Sequence, residues 1–217
     1  EVWWEDHSLF SDISDWLQVT DISVGRHGGL WLTFTGQRGQ QGGLCRLDLS
    51  GKTPRWRGYL QSINPIILPQ IHDLQMDGDG TIWLGGDEGI VIHDPGRPWH
   101  RLPLEGLQVR SFRRDAEGRL WLGTSRGVWR ANADGTDLAG PWLVPSPLVG
   151  HQVRALAMDG ARRLYIGMPN GLAVVHPMGE TEVVLEEEVL CLAADPAGQV
   201  WVGTPQGLYT VVAPDTV

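Results

Sequence analysis

Residues Ile71–Ile90 read IHDLQMDGDGTIWLGGDEGI, and residues Val109–Val128 read VRSFRRDAEGRLWLGTSRGV. Both stretches run through a β-branched residue, a D-x-x-G turn, a strand that contains Trp, and a turn bounded by glycine. Residues Val189–Leu208 follow the same order in VLCLAADPAGQVWVGTPQGL. A pattern that returns about every 40 residues is the signature of a repeat architecture. The fold of this chain should therefore follow from its internal repeat.

Five copies of the repeat align on one aromatic position, occupied by Trp31, Trp83, Trp121, Tyr165 and Trp201. Twelve residues earlier each copy has a β-branched residue: Val19, Ile71, Val109, Val153 and Val189. Six residues before the aromatic, four copies have Asp (Asp77, Asp115, Asp159 and Asp195) and the first has Gly25. Three residues before it, four copies have Gly (Gly28, Gly80, Gly118 and Gly198) and the fourth has Arg162. We expect the Asp side chain to bond turn amides and the Gly to supply the positive φ of a tight hairpin.

Each copy predicts three strands, and an outer fourth strand follows in most copies, around Trp56, Trp99, Trp142 and Val183–Leu185. This order predicts an all-β fold: one five-bladed β-propeller domain over residues 1–217, with four antiparallel strands per blade. The predicted blades cover about 19–60, 71–104, 109–145, 153–186 and 189–213.

The last copy ends without an outer strand, whereas an extra segment, Val2–Asp6 (VWWED), precedes the first copy. Trp4 lies 15 residues before Val19, just as Trp56 lies 15 residues before Ile71. We therefore predict that the N-terminal strand at residues 2–6 pairs in the last blade and closes the ring, which removes open sheet edges. The alternative is a five-blade piece of a longer array.

Composition narrows the function classes. With 17 basic and 26 acidic residues the net charge is −9, which repels a phosphate backbone, so we predict no nucleic-acid partner. No apolar run approaches the roughly 20 residues that span a bilayer, so we predict no membrane insertion. The two cysteines and seven histidines show no metal-binding spacing, and no P-loop or G-x-S-x-G motif occurs. The motifs thus indicate no catalytic residue, cofactor or metal.

The repeat resembles the two-component-regulator propeller repeat, most closely in Ile71–Ile90, Val109–Val128 and Val189–Leu208. The copy around Tyr165 and the first copy are looser matches. The resemblance implies a bacterial propeller of the kind found in the sensory part of hybrid two-component receptors, where such domains lie outside the cytoplasm and contribute to sensing, often of carbohydrates. It favours a periplasmic or extracellular location, and the residues alone leave a cytoplasmic one open.

One polar position recurs directly before the first strand of every blade, at Gln18, Gln70, Gln108, Gln152 and Glu188. Polar residues just after it add His72, Arg110 and Arg154. In a closed ring these side chains would encircle the mouth of the central channel. Amides and carboxylates in such an arrangement hold water, a sugar or another polar ligand. The alternative is that the glutamines bond only nearby backbone or channel water.

Three functions compete. The first is a non-catalytic sensory or binding propeller, either a monomer or part of a larger chain or assembly, that recognises a small polar ligand or a protein partner. The second is an enzyme of the lyase-propeller type, for which His72, His151 and Glu188 are the candidates for a converging His and acid. The third is a structural interaction module of a larger assembly, because a scaffold does not fix a function.

Overall fold

The computed structural model describes residues 17–25, 29–36, 42–49, 55–60, 68, 70–102, 104, 106–142, 152–195 and 197–211. Within these ranges every regular element is a β-strand, and all pairs of neighbouring strands in the sheets are antiparallel. The chain divides into two compact units, Glu1–Leu102 and Pro103–Val217. The first unit contains two of the sheets, and the second contains three.

The first unit holds two four-stranded blades, each with its strands side by side in chain order. The strands of the first blade are β1 (Leu17–Val24), β2 (Leu30–Gly36), β3 (Gly43–Asp48) and β4 (Arg55–Leu60). Those of the second blade are β5 (Ile71–Met76), β6 (Ile82–Gly86), β7 (Gly89–His93) and β8 (His100–Arg101). The first strands of the two blades, β1 and β5, pack against each other.

The second unit holds three blades with the same strand order. The third blade consists of β9 (Val109–Arg114), β10 (Leu120–Thr124), β11 (Gly127–Ala131) and β12 (Ala139–Trp142). The fourth blade consists of β13 (Ala155–Met158), β14 (Leu164–Met168), β15 (Gly171–Val175) and β16 (Thr181–Leu185). The described strands of the fifth blade are β17 (Cys191–Ala194), β18 (Val200–Thr204) and β19 (Gly207–Val211). Here too the first strands lie side by side, with β13 against both β9 and β17.

The D-x-x-G turn explains why Asp and the aromatic residue recur six positions apart. In the third blade the backbone carbonyl of Asp115 accepts a hydrogen bond from the Gly118 amide at 2.9 Å, and Gly118 has a φ of 82°. The carboxylate of Asp115 accepts hydrogen bonds from the Arg119 amide at 2.8 Å and from the indole N–H of Trp121 at 3.1 Å. Equivalent carboxylate–aromatic bonds join Asp77 to Trp83 at 2.9 Å and Asp159 to the Tyr165 hydroxyl at 3.1 Å. The Asp thus fixes the turn and orients the aromatic residue of the next strand.

A glycine two residues after the aromatic makes room for the neighbouring blade. A Cβ atom on Gly123 would lie 2.6 Å from Cγ1 of Val153, and one on Gly167 would lie 2.6 Å from Cγ1 of Val189. Such distances are far shorter than a normal contact between carbon atoms. The β-branched residue at the start of one copy therefore packs on the glycine of the copy before it. This contact links the blades of the second unit.

The repeat's two main predictions about the fold, the all-β class and the five propeller blades, are confirmed. The predicted pairing of Val2–Asp6 in the last blade falls outside the described residues. The aromatic position is not uniformly buried: Trp31, Trp83 and Tyr165 are buried, whereas Trp201 is 38% exposed. The cores of the blades are built mainly from Ile, Leu and Val on the first three strands.

Candidate functional site

The predicted glutamines lie at the start of the first strand of their blades, as the repeat indicated. Gln18, Gln108 and Gln152 are exposed, and Gln70 is half-buried. Within the described part of the chain, none of the four side chains makes a hydrogen bond to the protein. A polar ligand that reaches these amides would therefore find both donors and acceptors available.

In the second unit, two predicted residues from neighbouring blades meet. The guanidinium Nη1 of Arg154 lies 2.5 Å from Oε1 of Glu188, and both side chains are about one-third exposed. Arg110 lies on β9, which packs beside β13, and its Nε atom is buried without a hydrogen-bond partner among the described residues. Buried donors are normally satisfied. The unit therefore presents an organised ion pair and a guanidinium with an unused donor.

In the first unit, His72 is oriented by a residue that the sequence prediction did not place in the site. Nε2 of His72 lies 2.8 Å from Oδ1 of Asp87, and both side chains are partly exposed. Asp87 lies in the turn between β6 and β7, and its amide donates to the Gln70 carbonyl at 3.3 Å. The turn is thereby attached to the start of β5. A histidine held by a carboxylate is an arrangement suited to proton transfer as well as to ligand binding.

Two carboxyl groups also meet in the first unit, and sequence reasoning missed them. Asp21 on β1 accepts the Leu74 amide of β5 at 2.8 Å and the Ile22 amide at 2.8 Å. Burial, followed by the neighbouring Asp73 carboxylate, raises the pKa of Asp21 to about 6. In the second unit the same position is Ser111, whose Oγ accepts the Leu156 amide at 3.1 Å.

This bond between successive blades has a sequence signal. Its acceptors, Asp21 and Ser111, both stand ten residues before the aromatic of their copies. Small hydrogen-bonding residues at a fixed position of a repeat could have pointed to it. The recurring glutamines give a stronger signal because they match in residue type as well as position.

The described residues contain no group of three or more His, Cys, Asp or Glu side chains placed to hold a metal ion. They also contain no helix with the length and apolar character that a membrane span needs. His151, one of the candidates for a catalytic histidine, lies outside the described ranges.

The family model described as two component regulator propeller matches residues 103–126, which include β9, the D-x-x-G turn and β10 of the third blade. No curated protein sequence matches the chain.

Solved structures share the fold at low identity. The extracellular domain of BT3049 from B. thetaiotaomicron, assigned to a hybrid two component system, is 20% identical with a TM-score of 0.69, and the match covers 92% of this chain and 27% of that one. The extracellular domain of BT4673 from the same organism, assigned to a one component system, is 19% identical with a TM-score of 0.67. This match covers 88% of this chain and 27% of that one. Virginiamycin B lyase from Staphylococcus aureus is 14% identical with a TM-score of 0.63. This match covers 93% of this chain and 72% of that one.

The chain therefore spans about a quarter of the length of the two extracellular domains. At these identities the likeness shows the fold. The segment matched by the family model is one copy of a repeat that the chain carries five times, and in blades three, four and five the aligned positions form the same turn. The third blade of the chain accordingly carries a segment that matches the two component regulator propeller model.

Proposed function

We propose that this chain is a non-catalytic sensory propeller that binds a small polar ligand, with carbohydrates among the candidates, or a protein partner. Its ligand-binding side chains are those at the start of the first strand of each blade: Gln18, Gln70, His72, Gln108, Arg110, Gln152, Arg154 and Glu188. The family supports a sensing role, since its repeat is named for two-component regulators.

The observation that carries the proposal is the unused hydrogen-bonding capacity of these side chains. In the second unit Gln108 and Gln152 are exposed amides without a bond to the described protein, and the buried Nε of Arg110 has no partner. Buried polar groups such as the Arg110 Nε normally have a hydrogen-bond partner. Donors and acceptors without partners are typical of a site for a polar ligand.

The ion pair of Arg154 and Glu188 gives the site a fixed charge pattern. The contact of 2.5 Å between Nη1 of Arg154 and Oε1 of Glu188 restricts the guanidinium. The second carboxylate oxygen of Glu188 remains an acceptor for ligand hydroxyl groups. Because the pair is partly exposed to water, a ligand can exchange with solvent there at low cost.

Thermal shift with a panel of neutral mono- and oligosaccharides tests the proposal. We expect at least one saccharide to raise the melting temperature, because a ligand that binds only the folded state stabilises it. The double variant Gln108→Ala/Gln152→Ala should remove this rise. Gln199→Ala, at the opposite end of the strands, is the matched control and should leave it unchanged. A shift that survives the double variant would contradict the assignment of these residues.

A second candidate function rests on the His72–Asp87 pair. Its 2.8 Å contact orients the imidazole as general acid–base catalysis requires, and a lyase shares the fold. Under the sensory proposal we expect no turnover of streptogramin B antibiotics by the wild-type protein. Turnover that His72→Ala abolishes would favour the enzyme instead.

We further propose that the domain works outside the cytoplasm, in the periplasm or the extracellular space. Support comes from the extracellular domains that share its fold. Fractionation of the host cell, with an antibody against this domain as the probe, tests the location. Recovery with the cytosolic fraction would contradict it.

A further inference from the structure

A cleft of about 280 Å³ opens between the third and fourth blades, both in the second unit. It lies at the D-x-x-G end of the strands, opposite the end that carries Arg110 and Arg154. Trp121 and Arg130 form the wall on the third blade, and Leu164 and Val175 form the wall on the fourth. None of the side chains proposed to bind the polar ligand lines this cleft.

The hydrogen-bond acceptors of the cleft are already occupied. Oδ1 of Asp115 accepts the amides of Glu117 and Arg119, and Oδ2 accepts the Arg119 Nε and the Trp121 indole. The Glu117 carboxylate accepts Arg162 Nη1 at 2.6 Å through Oε1 and Arg119 Nη2 at 3.2 Å through Oε2. Each carboxylate oxygen therefore has at least one donor. The acids orient the arginines and offer little to a ligand.

The cleft also contains donors that these carboxylates leave unused. The guanidinium groups of Arg119, Arg130 and Arg162 line it beside the two carboxylates. Arg162 is 59% exposed along its side chain and binds Glu117 only through Nη1, so its other N–H groups face outward from the pair. A guanidinium carries five N–H donors in a planar fork that matches a carboxylate.

Apolar surface surrounds this donor group. Leu164 in the fourth-blade wall is largely buried, and the guanidinium of Arg130 lies 5.7 Å from the centre of the Trp121 ring. Met178 stands at the rim and is 91% exposed. Methionine is a flexible, polarisable side chain that adapts to varied apolar ligands. The cleft thus combines guanidinium donors with apolar surface.

The next pair of blades serves as an internal comparison. In the repeat, Glu117 corresponds to Ala161, and Arg162 corresponds to Gly198. The ion pair of Glu117 and Arg162 therefore has no counterpart between the fourth and fifth blades. Arg162 also holds a φ of 65°, a conformation that costs a non-glycine residue about 1 kcal/mol. A side chain kept at a strained position where other copies have glycine suggests a role beyond folding.

We propose that this cleft binds a small organic carboxylate with an apolar body. The carboxylate would pair with the outward N–H groups of Arg162, and the apolar body would lie against Leu164, Trp121 and Met178. A volume of about 280 Å³ is at the low end of ligand pockets, which selects a compact molecule. An acceptor-only anion suits the site better than a neutral sugar, because the site offers donors and no free carboxylate oxygen.

Methyl NMR of the protein labelled at its four methionines provides a local readout. Met158 and Met178 line the cleft. Met76 lies in the first unit, and Met168 is fully buried in β14. Titration with benzoate should move the Met158 and Met178 signals to saturation and leave the other two in place. Benzamide, which has the same shape without the charge, should bind at least tenfold more weakly.

Arg162→Gly tests the key donor, since glycine occupies this position in other copies and suits the backbone. We expect it to weaken benzoate binding about tenfold, the effect of losing one charge-assisted hydrogen bond, with the methyl spectrum otherwise preserved. Arg97→Gln removes the same charge from an exposed site in the first unit and should leave the affinity unchanged.

Three results would overturn the proposal. The first is that about 20 mM benzoate, enough to detect binding with a millimolar dissociation constant, shifts the methyl signal of neither Met158 nor Met178. The second is that benzamide binds as tightly as benzoate. The third is equal weakening by Arg97→Gln and Arg162→Gly, which would reduce the effect to net charge. Saccharide binding at the other end of the strands is measured separately, so the two proposals fail independently.

Discussion

Replacing Asp21 by asparagine removes one of the two carboxyl groups that meet between the first and second blades. Burial and the Asp73 carboxylate raise the pKa of Asp21 from the usual 3.8 to about 6. The folded state therefore holds the Asp21 proton more tightly than the unfolded state. This contribution to stability is fully present below pH 3.8 and is lost as the pH rises through about 6. At neutral pH the ionised Asp21 destabilises the fold.

The size of the effect follows from the two pKa values. At about 1.4 kcal/mol per pH unit, the shift from 3.8 to about 6 corresponds to about 3 kcal/mol. Asp21 is only partly buried, and solvent screening roughly halves this figure. The asparagine retains an oxygen that can accept the Leu74 amide, and it places an NH₂ group beside Asp73. We expect Asp21→Asn to be more stable than the wild type by roughly 1–2 kcal/mol at pH 8, and equal to it near pH 4.

Urea unfolding at pH 4, 6 and 8, followed by tryptophan fluorescence, measures the difference. Because every other carboxylate titrates in both proteins, only the difference between variant and wild type is interpreted. Asp137→Asn, which removes the same charge from an exposed residue with positive φ, controls for net charge. A loss of stability in Asp21→Asn at pH 8, or a stability that follows the wild-type pH profile, would contradict a raised pKa of Asp21 as the cause.

Three further substitutions in the second unit test the packing of the blades by urea unfolding at pH 7. Asp159→Ala should cost about 3–5 kcal/mol, because it leaves the largely buried guanidinium of Arg163, whose Nε donates to Asp159 at 2.6 Å, without its carboxylate. Tyr165→Phe should cost about 1 kcal/mol, since its buried hydroxyl donates to the same carboxylate at 3.1 Å. Gly123→Ala should cost about 1–3 kcal/mol, because the added methyl group would lie 2.6 Å from Val153.

Each of these substitutions has a matched comparison. Adding Arg163→Ala to Asp159→Ala should recover part of the loss, because no buried charge is then unpaired. No recovery would argue against the ion pair as the cause. Gly160→Ala is the control for Gly123, since a Cβ there meets nothing within 4 Å. Equal losses from the two glycine substitutions would show that backbone entropy, rather than contact with Val153, sets the cost.

The fold could be predicted because each copy repeats the residues that local geometry requires. Asp115 and Gly118 specify a turn that needs no distant partner, and the alternation around Trp121 specifies the strand that follows. Among the described residues at the glycine position of the D-x-x-G turn, Arg162 is the one that is not glycine. It has a positive φ, as the glycines do. The backbone requirement of the turn therefore holds even where the residue type departs from the pattern.

The contacts around the candidate site could not be predicted from the sequence, because pairs between blades depend on packing. Position in the repeat indicated Arg154 and Glu188, but their 2.5 Å contact arises from the docking of the fourth and fifth blades. Asp87 is 15 residues from His72, and Asp21 is 53 residues from Leu74, so no local motif connects them.

The strands, the turns and the number of blades could be predicted from the residues alone, since these follow from short-range hydrogen bonds and from a turn conformation that recurs from copy to copy. Which charges meet depends on the folded arrangement of the blades. It brought Glu117 of one blade to Arg162 of the next and formed the cleft beneath them. Electrostatic partners are chosen by distance in space, and packing of one blade on another sets that distance.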